Sequence, residues 1–297
     1  MTATNPVSIA VAGAVSSAIA SGLDRLDAQL LLLHALGKPS SGRAWLLAHD
    51  LDLVPESANA AFMALVQRRL AGEPVAYLTG HKEFFGIELQ VDTRVLVPRP
   101  DTETLVEWAL QVLDALAARA ASADMGDFGC PVCALDLGTG SGAVALAIKH
   151  SRPAVQVRAI DFSIGALAVA QANAVRLQLA VHFSQGSWLE GVNVRYHLIA
   201  SNPPYIAAGD PHLSALTHEP LQALTSGADG LDDIRAIVGQ APAHLHAGGW
   251  LLLEHGYDQA AAVRELLRQA GFAGVQSRRD LGGIERCSGG RWPETAD

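Results

Sequence analysis

Cysteine is scarce in this chain: Cys130, Cys133 and Cys287 are three in 297 residues. An odd and sparse set of that kind cannot staple a molecule of this size, which excludes a disulfide scaffold and fits a reducing compartment. Positive charge is also short. The 21 Lys and Arg against 30 Asp and Glu leave a formal net charge of -9, so the surface as a whole repels a phosphate backbone and no direct nucleic-acid binding is expected. Long apolar runs are few. The stretch from Val7 to Ala20 has no Lys or Arg ahead of it and is interrupted by serines, which argues against a targeting leader or a spanning helix. The expectation is a soluble, cytoplasmic, monomeric protein with no membrane partner. What is plentiful is apolar content, 49% of the chain, enough for two cores over this length.

Residues 1 to about 82 read as helices. Leu26, Leu30 and Leu33 repeat at helical spacing before Gly37 and Pro39, and Phe62, Leu65, Val66 and Leu70 do so before Gly72 and Pro74. From Glu83 to Val97 the pattern becomes alternating, with Phe85, Ile87 and Leu89, then Val95 and Val97, on either side of a polar Asp92-Thr93-Arg94 turn. This predicts a β-hairpin hinge over 83–98. An amphipathic run from Thr102 to about Ala121 predicts a helix, followed by a loose Ala, Ser and Gly stretch up to Gly129. The rest, within a domain spanning 99–297, alternates β-rich and helical runs. Strands are expected at Val132 to Leu137, Val155 to Ile160, Val181 to Ser184, His197 to Ser201 and Trp250 to Glu254, with helices from Ser141 and Ile164. That order is a parallel sheet wound with helices on both faces, an α/β architecture. The segment from Ile206 to about Gly230 is too long for a plain connector and points to a lid or substrate-binding loop.

Between the first of these strands and its helix lies Leu135-Asp136-Leu137-Gly138-Thr139-Gly140-Ser141-Gly142. Glycines belong there because the backbone must turn tightly and admit a ligand without a Cβ in the way. Asp161 ends the next strand, where a carboxylate can accept two hydrogen bonds from ribose hydroxyls. Gly138, Gly140 and Ala143 also satisfy a dinucleotide fingerprint, so a nicotinamide dehydrogenase survives at this point. Asp136 tilts the choice. A carboxylate just before the glycines would repel a pyrophosphate while suiting the ammonium and sulfonium groups of S-adenosylmethionine.

After the fourth strand comes Ser201-Asn202-Pro203-Pro204-Tyr205, at the carboxyl end of a strand beside the switch point, where open parallel sheets bind ligands. An amide or exocyclic amino nitrogen is a weak nucleophile because its lone pair is delocalised. A site that holds both of its N–H bonds turns the lone pair toward a methyl donor. The Asn202 side-chain oxygen and the Pro203 carbonyl can accept those two bonds, and paired prolines fix φ so that the carbonyls are aimed in advance. Tyr205 can stack on a planar substrate group. No general base is needed for the transfer, since the methylated nitrogen becomes acidic and loses its proton afterwards.

These residues, with "RLDAQLLLLHALG", "GEPVAYLTGHKEFFGIEL", "VLVPRPDTETLVE", "DLGTGSG", "SNPPYI", "EPLQAL" and "GGWLLLEHG", resemble the peptide-chain release factor N5-glutamine methyltransferases called PrmC or HemK, from about Leu26 to Arg291. The resemblance implies a seven-stranded Rossmann-like class I methyltransferase sheet whose last strands form an antiparallel hairpin, near Gly274 to Asp280 and Glu285 to Gly289. It implies S-adenosylmethionine as cofactor, S-adenosylhomocysteine as product, and the glutamine of the Gly-Gly-Gln loop of class I release factors as substrate. Family cofactor contacts fall on Asp136 and the turn residues Leu137, Gly138, Thr139 and Gly140, then on Asp161, Trp188 and Asn202. Asn202, Pro203, Pro204 and Tyr205 would hold the glutamine and carry the chemistry, and the helical domain would dock the release factor. Ser187 stands where the family often has Asp, and His218 where an aromatic often precedes Glu-Pro.

Two other readings stay open: adenine N6 methylation of DNA, which the Asn-Pro-Pro-Tyr motif suits equally, and a non-catalytic scaffold that keeps the pocket for a translation partner. The Cys130-Pro131-Val132-Cys133 spacing lacks a second ligand pair, and His244 and His246, near a helix end, favour solvated or capping roles, so no metal is expected. Arg99 precedes a helix N-terminus, where it could meet a cofactor carboxylate or simply brace the hairpin.

Overall fold

A computed structural model describes residues 9–122 and 132–294, and the chain divides into two compact units between His81 and Lys82. The first is helical, with α1 (Val11–Ala20), α2 (Arg25–Ala35), α3 (Arg43–Ala48), α4 (Glu56–Leu70) and α5 (Val75–Thr79). Its core is filled by Leu31, Leu32 and Leu33 of α2 with Phe62 and Val66 of α4, each worth roughly 1.5–3 kcal/mol when fully removed from water. Leu26 and Leu70, which set the helical period in the sequence, are exposed. The buried stripe of α2 is turned toward Ala28 and Leu31 because α1 and α4 pack on that side.

A β-hairpin stands at the start of the second unit, β1 (His81–Phe84) pairing with β2 (Ile87–Gln90). Its turn is Phe85-Gly86, not the Asp92-Thr93-Arg94 turn that the alternation suggested. Both turn residues have positive φ, 49° and 76°, the requirement of a two-residue type I′ hairpin. Asp92 instead caps its own turn, accepting from the backbone and guanidinium of Arg94, and residues 95–99 run on without pairing into a strand. The hairpin is tied to the sheet domain through Asn173, whose amide exchanges two hydrogen bonds with the Gln90 backbone (2.7 and 2.9 Å) and gives a third to the Ser141 carbonyl (3.0 Å).

After a 3-10 turn at Pro100–Thr102 and α6 (Glu103–Ser122), the sheet strands are β3 (Cys133–Leu137), β4 (Gln156–Asp161), β5 (Val181–Gln185), β6 (Tyr196–Ser201), β7 (Leu245–Glu254), β8 (Ala273–Arg279) and β9 (Glu285–Arg291). They line up as β5-β4-β3-β6-β7-β9-β8. Pairing is parallel from β5 to β7 and antiparallel for β7 with β9 and β9 with β8. The hairpin end is the one expected from the family resemblance. Helices α7 (Ala143–Ser151), α8 (Ile164–Leu177), α9 (Asp232–Gln240) and α10 (Ala260–Gln269) complete the unit. Every residue of β6 is buried, as befits a strand covered on both faces. Leu135, Ile199, Leu251 and Leu253 from the strands meet Ile234 and Ile237 of α9 and Val263 and Leu267 of α10 in one core.

Chain order reverses direction across the sheet between β3 and β6: β4 and β5 lie to one side, β7 to the other. That is the switch point, where the carboxyl ends of the strands diverge and open a crevice. Helix α7 begins at Ala143 and not at Ser141, because Gly142 sits at φ 86°, outside helical space.

Candidate active site

A cleft of about 320 Å³ opens at the carboxyl ends of β3, β4 and β6. One wall is the glycine turn. Gly138 and Thr139 donate their N–H groups to the Ile160 carbonyl (2.8 and 3.1 Å), stitching the turn to β4. Gly138, Gly140 and Gly142 all have φ between 56° and 86°, which only glycine adopts freely. A Cβ on Gly142 would lie 2.8 Å from Leu146, while one on Gly140 would meet nothing within 4 Å. Gly142 is thus required by packing, and Gly140 by the bend alone, with its open face toward the cleft.

Two carboxylates brace this wall. Asp136 Oδ2 accepts from Thr139 Oγ1 (2.6 Å) and from the Ala145 N–H (3.1 Å), which pins the turn to the first residues of α7. Burial pushes its carboxyl up to about 7, against the lowering effect of those bonds and with a small upward contribution from Asp161. Asp161 accepts from Gly140 N–H (2.8 Å) on one oxygen and from Ser163 N–H (2.8 Å) on the other. It too is raised by burial, opposed by both backbone bonds. A cation with hydroxyl donors bound beside these two carboxyls would favour their ionised forms and offset the burial that raises them. Trp188 adds a flat wall. It has φ 51°, its ring lies 3.3 Å from where a Gly138 Cβ would be, and its Nε1–H donates to Asp233 Oδ1 (3.1 Å). The apolar turn lined by Ile160, Phe162 and Ala166 and the open Gly140 face fit a nucleoside-sized ligand carrying positive charge.

The opposite wall belongs to Asn202. It follows β6, is half-buried, and donates from Nδ2 to Thr102 Oγ1 at 3.1 Å. Its Oδ1 accepts no hydrogen bond from the described residues. Thr102, buried, ends the Pro100–Thr102 turn, 100 residues earlier in the chain. Parallel register sets Ser201 opposite Leu253, so Asn202 and Glu254 leave neighbouring strands side by side. Glu254 is fully buried with Oε2 unpartnered, and burial pushes its carboxyl up to about 7, opposed chiefly by the Thr102 hydrogen bond. Nearby, Arg286 pairs with Asp101 (3.3 Å) and Asp280 (3.2 Å). Arg99 pairs with Glu219 of the 206–230 loop, and Glu219 also accepts from the Val97 N–H at 3.1 Å. Both partners thus tie the Val95–Arg99 segment to that loop, whose Pro220, Gln222 and Ala223 line the cleft.

Of the residues singled out from sequence, Asp136, Gly138, Thr139 and Gly140 line the cleft together with Asp161, Trp188, Asn202 and Pro204. Leu137, Pro203 and Tyr205 do not. The Leu137 side chain is core, and its carbonyl accepts from Ser201 Oγ (2.7 Å). Pro203 is buried. The Tyr205 ring packs against the central apolar cluster, with its hydroxyl 3.5 Å from Glu254 Oε1 and its phenol pushed up by burial and by Glu254. Two prolines in succession carry the chain past the rim before the ring is reached. Ser187 lines the cleft. Sequence reasoning did not single out Thr102, Glu254, Asp233 or Phe162. Thr102 and Glu254 sat inside "PRPDTE" and "LLLEHG", whose resemblance carried no role for them.

His244 ends a 3-10 turn, and His246 lies in β7, where its ring stacks on His197 at 4.4 Å; neither caps a helix. Cys130 lies outside the described residues, and Cys133 is half-buried in β3. Among the described residues no cluster of metal-ligating side chains occurs, and no helix is long and apolar enough to cross a membrane.

Residues 15–80 match the family model described as PrmC N-terminal domain, and residues 131–230 match the methyltransferase small domain. A release factor glutamine methyltransferase of Burkholderia pseudomallei is 48% identical over 284 residues, covering 92% of this chain and 94% of its own length. One from Bordetella pertussis is 50% identical over 273 residues, covering 91% and 95%. Among solved structures, a methyltransferase from Pyrococcus furiosus superposes with a TM-score of 0.50 at 18% identity, covering 76% of this chain and 97% of that one, a likeness of fold. With identity of this level over nearly the whole of both relatives, the chain belongs to the release factor glutamine methyltransferase family.

Proposed function

We propose that this protein transfers a methyl group from S-adenosylmethionine to the N5 amide nitrogen of the glutamine in the Gly-Gly-Gln loop of class I peptide-chain release factors. The observation that carries the reading is the Asn202 carboxamide: its nitrogen is used on Thr102, which leaves Oδ1 as an acceptor at the edge of a cleft built for a cationic nucleoside. The cofactor supplies an electrophilic methyl group on a sulfonium. Asp136 and the glycine turn would hold its amino-acid end, Asp161 its ribose, and Phe162 and Trp188 its base.

The rest is done by the chain. Asn202 Oδ1, on the cleft lining, accepts one N–H of the substrate amide and restrains the nitrogen with its lone pair toward the donor carbon. Holding the group in line removes most of the entropic part of the barrier. Once methylated, the nitrogen is acidic enough to lose its proton without a dedicated base. The helical first unit would dock the release factor body; Leu47, Leu51 and Leu53, all largely exposed, are the apolar surface that supports this.

The protein incubated with labelled S-adenosylmethionine and a class I release factor is expected to add one methyl mass to the peptide bearing Gly-Gly-Gln. Label on duplex DNA, or on no macromolecule, would overturn the reading.

A further inference from the structure

We propose that Gln259 is a positioning residue that pins the outgoing end of the 202–205 segment and the return of the 206–230 loop to one point, an inference that rests on the amide-methylation reading. Gln259 stands at the start of α10, but its side chain does not cap that helix. Its Oε1 accepts from the Gly256 N–H at 2.8 Å, and its Nε2 donates to the Tyr205 carbonyl at 3.0 Å and the Asp229 carbonyl at 3.2 Å. All three partners are backbone groups of fixed polarity. An N–H can only donate and a carbonyl can only accept, so a carboxamide turned by 180° would lose all three bonds and set like against like. The main chain alone decides the orientation.

The socket is shaped for this group. A Cβ on Gly230, which sits at φ 76°, would lie 2.2 Å from the Tyr205 carbonyl oxygen and 2.7 Å from Gln259 Nε2, and one on Gly256 would lie 3.0 Å from Oε1. Glycine on both sides lets the carboxamide reach the main chain directly.

What Gln259 holds bears on the cleft. Asn202 is tied at the other end of the segment, through Nδ2 to Thr102 Oγ1. Between the ends stand Pro203 and Pro204, which have no N–H to tie them and whose φ is fixed, so the segment pivots as a body when one end is freed. Pro204 lines the cleft. Releasing the Tyr205 carbonyl would therefore swing the amide cradle about Asn202. The loop is held differently along its length. Its cleft-lining part is anchored by Glu219 to the Val97 N–H and to Arg99. Its neck is closed by the N–H groups of Ile206, Ala208 and Ser226, which donate to the carbonyls of Leu224, Gly227 and Ile206 at 2.9 Å each. Gln259 joins that neck to the motif. It does not itself line the cleft and acts only through what it holds.

The test reads turnover, cofactor binding and backbone amide exchange on the full chain. Gln259→Glu keeps the size and the bond to Gly256 but sets an oxygen against both carbonyls. It is expected to lower kcat toward a class I release factor about 10-fold or more, while S-adenosylmethionine still fills every site with Kd changed less than about threefold. Exchange of the Ile206, Ala208 and Ser226 amides is expected to speed up about 10-fold. Gln259→Met loses all three bonds without the repulsion and is expected to lower kcat about 3- to 10-fold; it covers the case in which the Glu variant does not fold. In a folded variant, unchanged kcat or unchanged exchange overturns the inference. So does a loss of activity that only follows a loss of cofactor-binding sites, which would assign Gln259 to stability alone. A wild-type protein that methylates no release factor would sink the functional reading alone, and the exchange comparison would still decide whether Gln259 holds the neck.

Discussion

The two walls of the cleft are built differently. Apart from the Trp188 ring that lies on Gly138, the glycine-turn wall comes from one stretch, residues 136 to 163, and its carboxylates are held by backbone N–H groups of that same stretch: Asp136 by Ala145, Asp161 by Gly140 and Ser163. The amide wall is assembled from segments far apart in the chain: Asn202 is joined side chain to side chain with Thr102, and the buried Glu254 lies beyond it with Tyr205 at 3.5 Å. A wall made locally is preformed whenever the strand and helix form. The other exists only once the sheet has brought β6 and β7 into register, and it keeps acceptor capacity in reserve for a ligand.

The sharpest break of this comparison is Asn202→Ala. If the walls have separate duties, turnover falls about 10²- to 10³-fold, the range lost with one preorganised polar group, while cofactor affinity falls by no more than about 1–2 kcal/mol. Calorimetry for binding and mass spectrometry for product separate the two. Equal losses in both would mean that the walls act as one.

The same contrast explains what could be read in the sequence. Local features were legible: the five parallel strands, the left-handed glycines and Asp161 at a strand end all follow from neighbours in the chain. The terminal hairpin was reached through the family resemblance. Thr102 and Glu254 were not legible as neighbours of the motif, because nothing within ten residues of either shows that Asn202 donates to Thr102 or that Tyr205 meets Glu254; the tertiary fold supplies that. Phe85-Gly86 was missed for a related reason. An aromatic at positive φ breaks the usual preference, and the alternation of Ile87 with Leu89 drew attention to the polar triplet beyond, which makes a turn without a hairpin. Trp188, also at positive φ, could be placed only through the family resemblance.

A second prediction concerns the cost of the locally built wall. The Asp136 carboxyl ordinarily ionises near 3.8 and is pushed up to about 7 in the fold. The folded state therefore binds its proton more firmly than the unfolded chain, and the stability this contributes is present below the unfolded value and lost as pH rises through about 7. Glu254, raised from 4.5 to about 7, acts in the same direction. Without cofactor, the difference in unfolding free energy between Asp136→Asn and wild type should grow in favour of the variant from pH 5 to pH 8, by an amount on the order of a few kcal/mol. Denaturant melts at the two pH values measure it. A cation bound beside Asp136 reverses the balance by favouring the ionised form, so S-adenosylmethionine should bind more tightly at pH 8 than at pH 6. A difference independent of pH would show that Asp136 is already ionised in the folded protein.

The smallest expected effect tests whether the walls communicate. Trp188 belongs to the glycine-turn wall by contact, but its indole N–H is held by Asp233, whose own N–H donates to Ser226 Oγ (2.8 Å), and Ser226 N–H donates to the Ile206 carbonyl (2.9 Å) just beyond Tyr205. A hydrogen-bonded chain thus runs from the base-binding wall to the end of the amide motif. Trp188→Phe removes the first link and keeps a flat ring, and Asp233→Ala removes its partner. Each should weaken cofactor binding by about 0.5–1.5 kcal/mol, the net worth of one ordinary intramolecular hydrogen bond. If the bond is the whole effect, the double variant is no worse than either single one, and the coupling energy equals the single loss. Additive losses would assign Trp188 to packing on Gly138 alone, and the two walls would then be independent in binding as well as in construction.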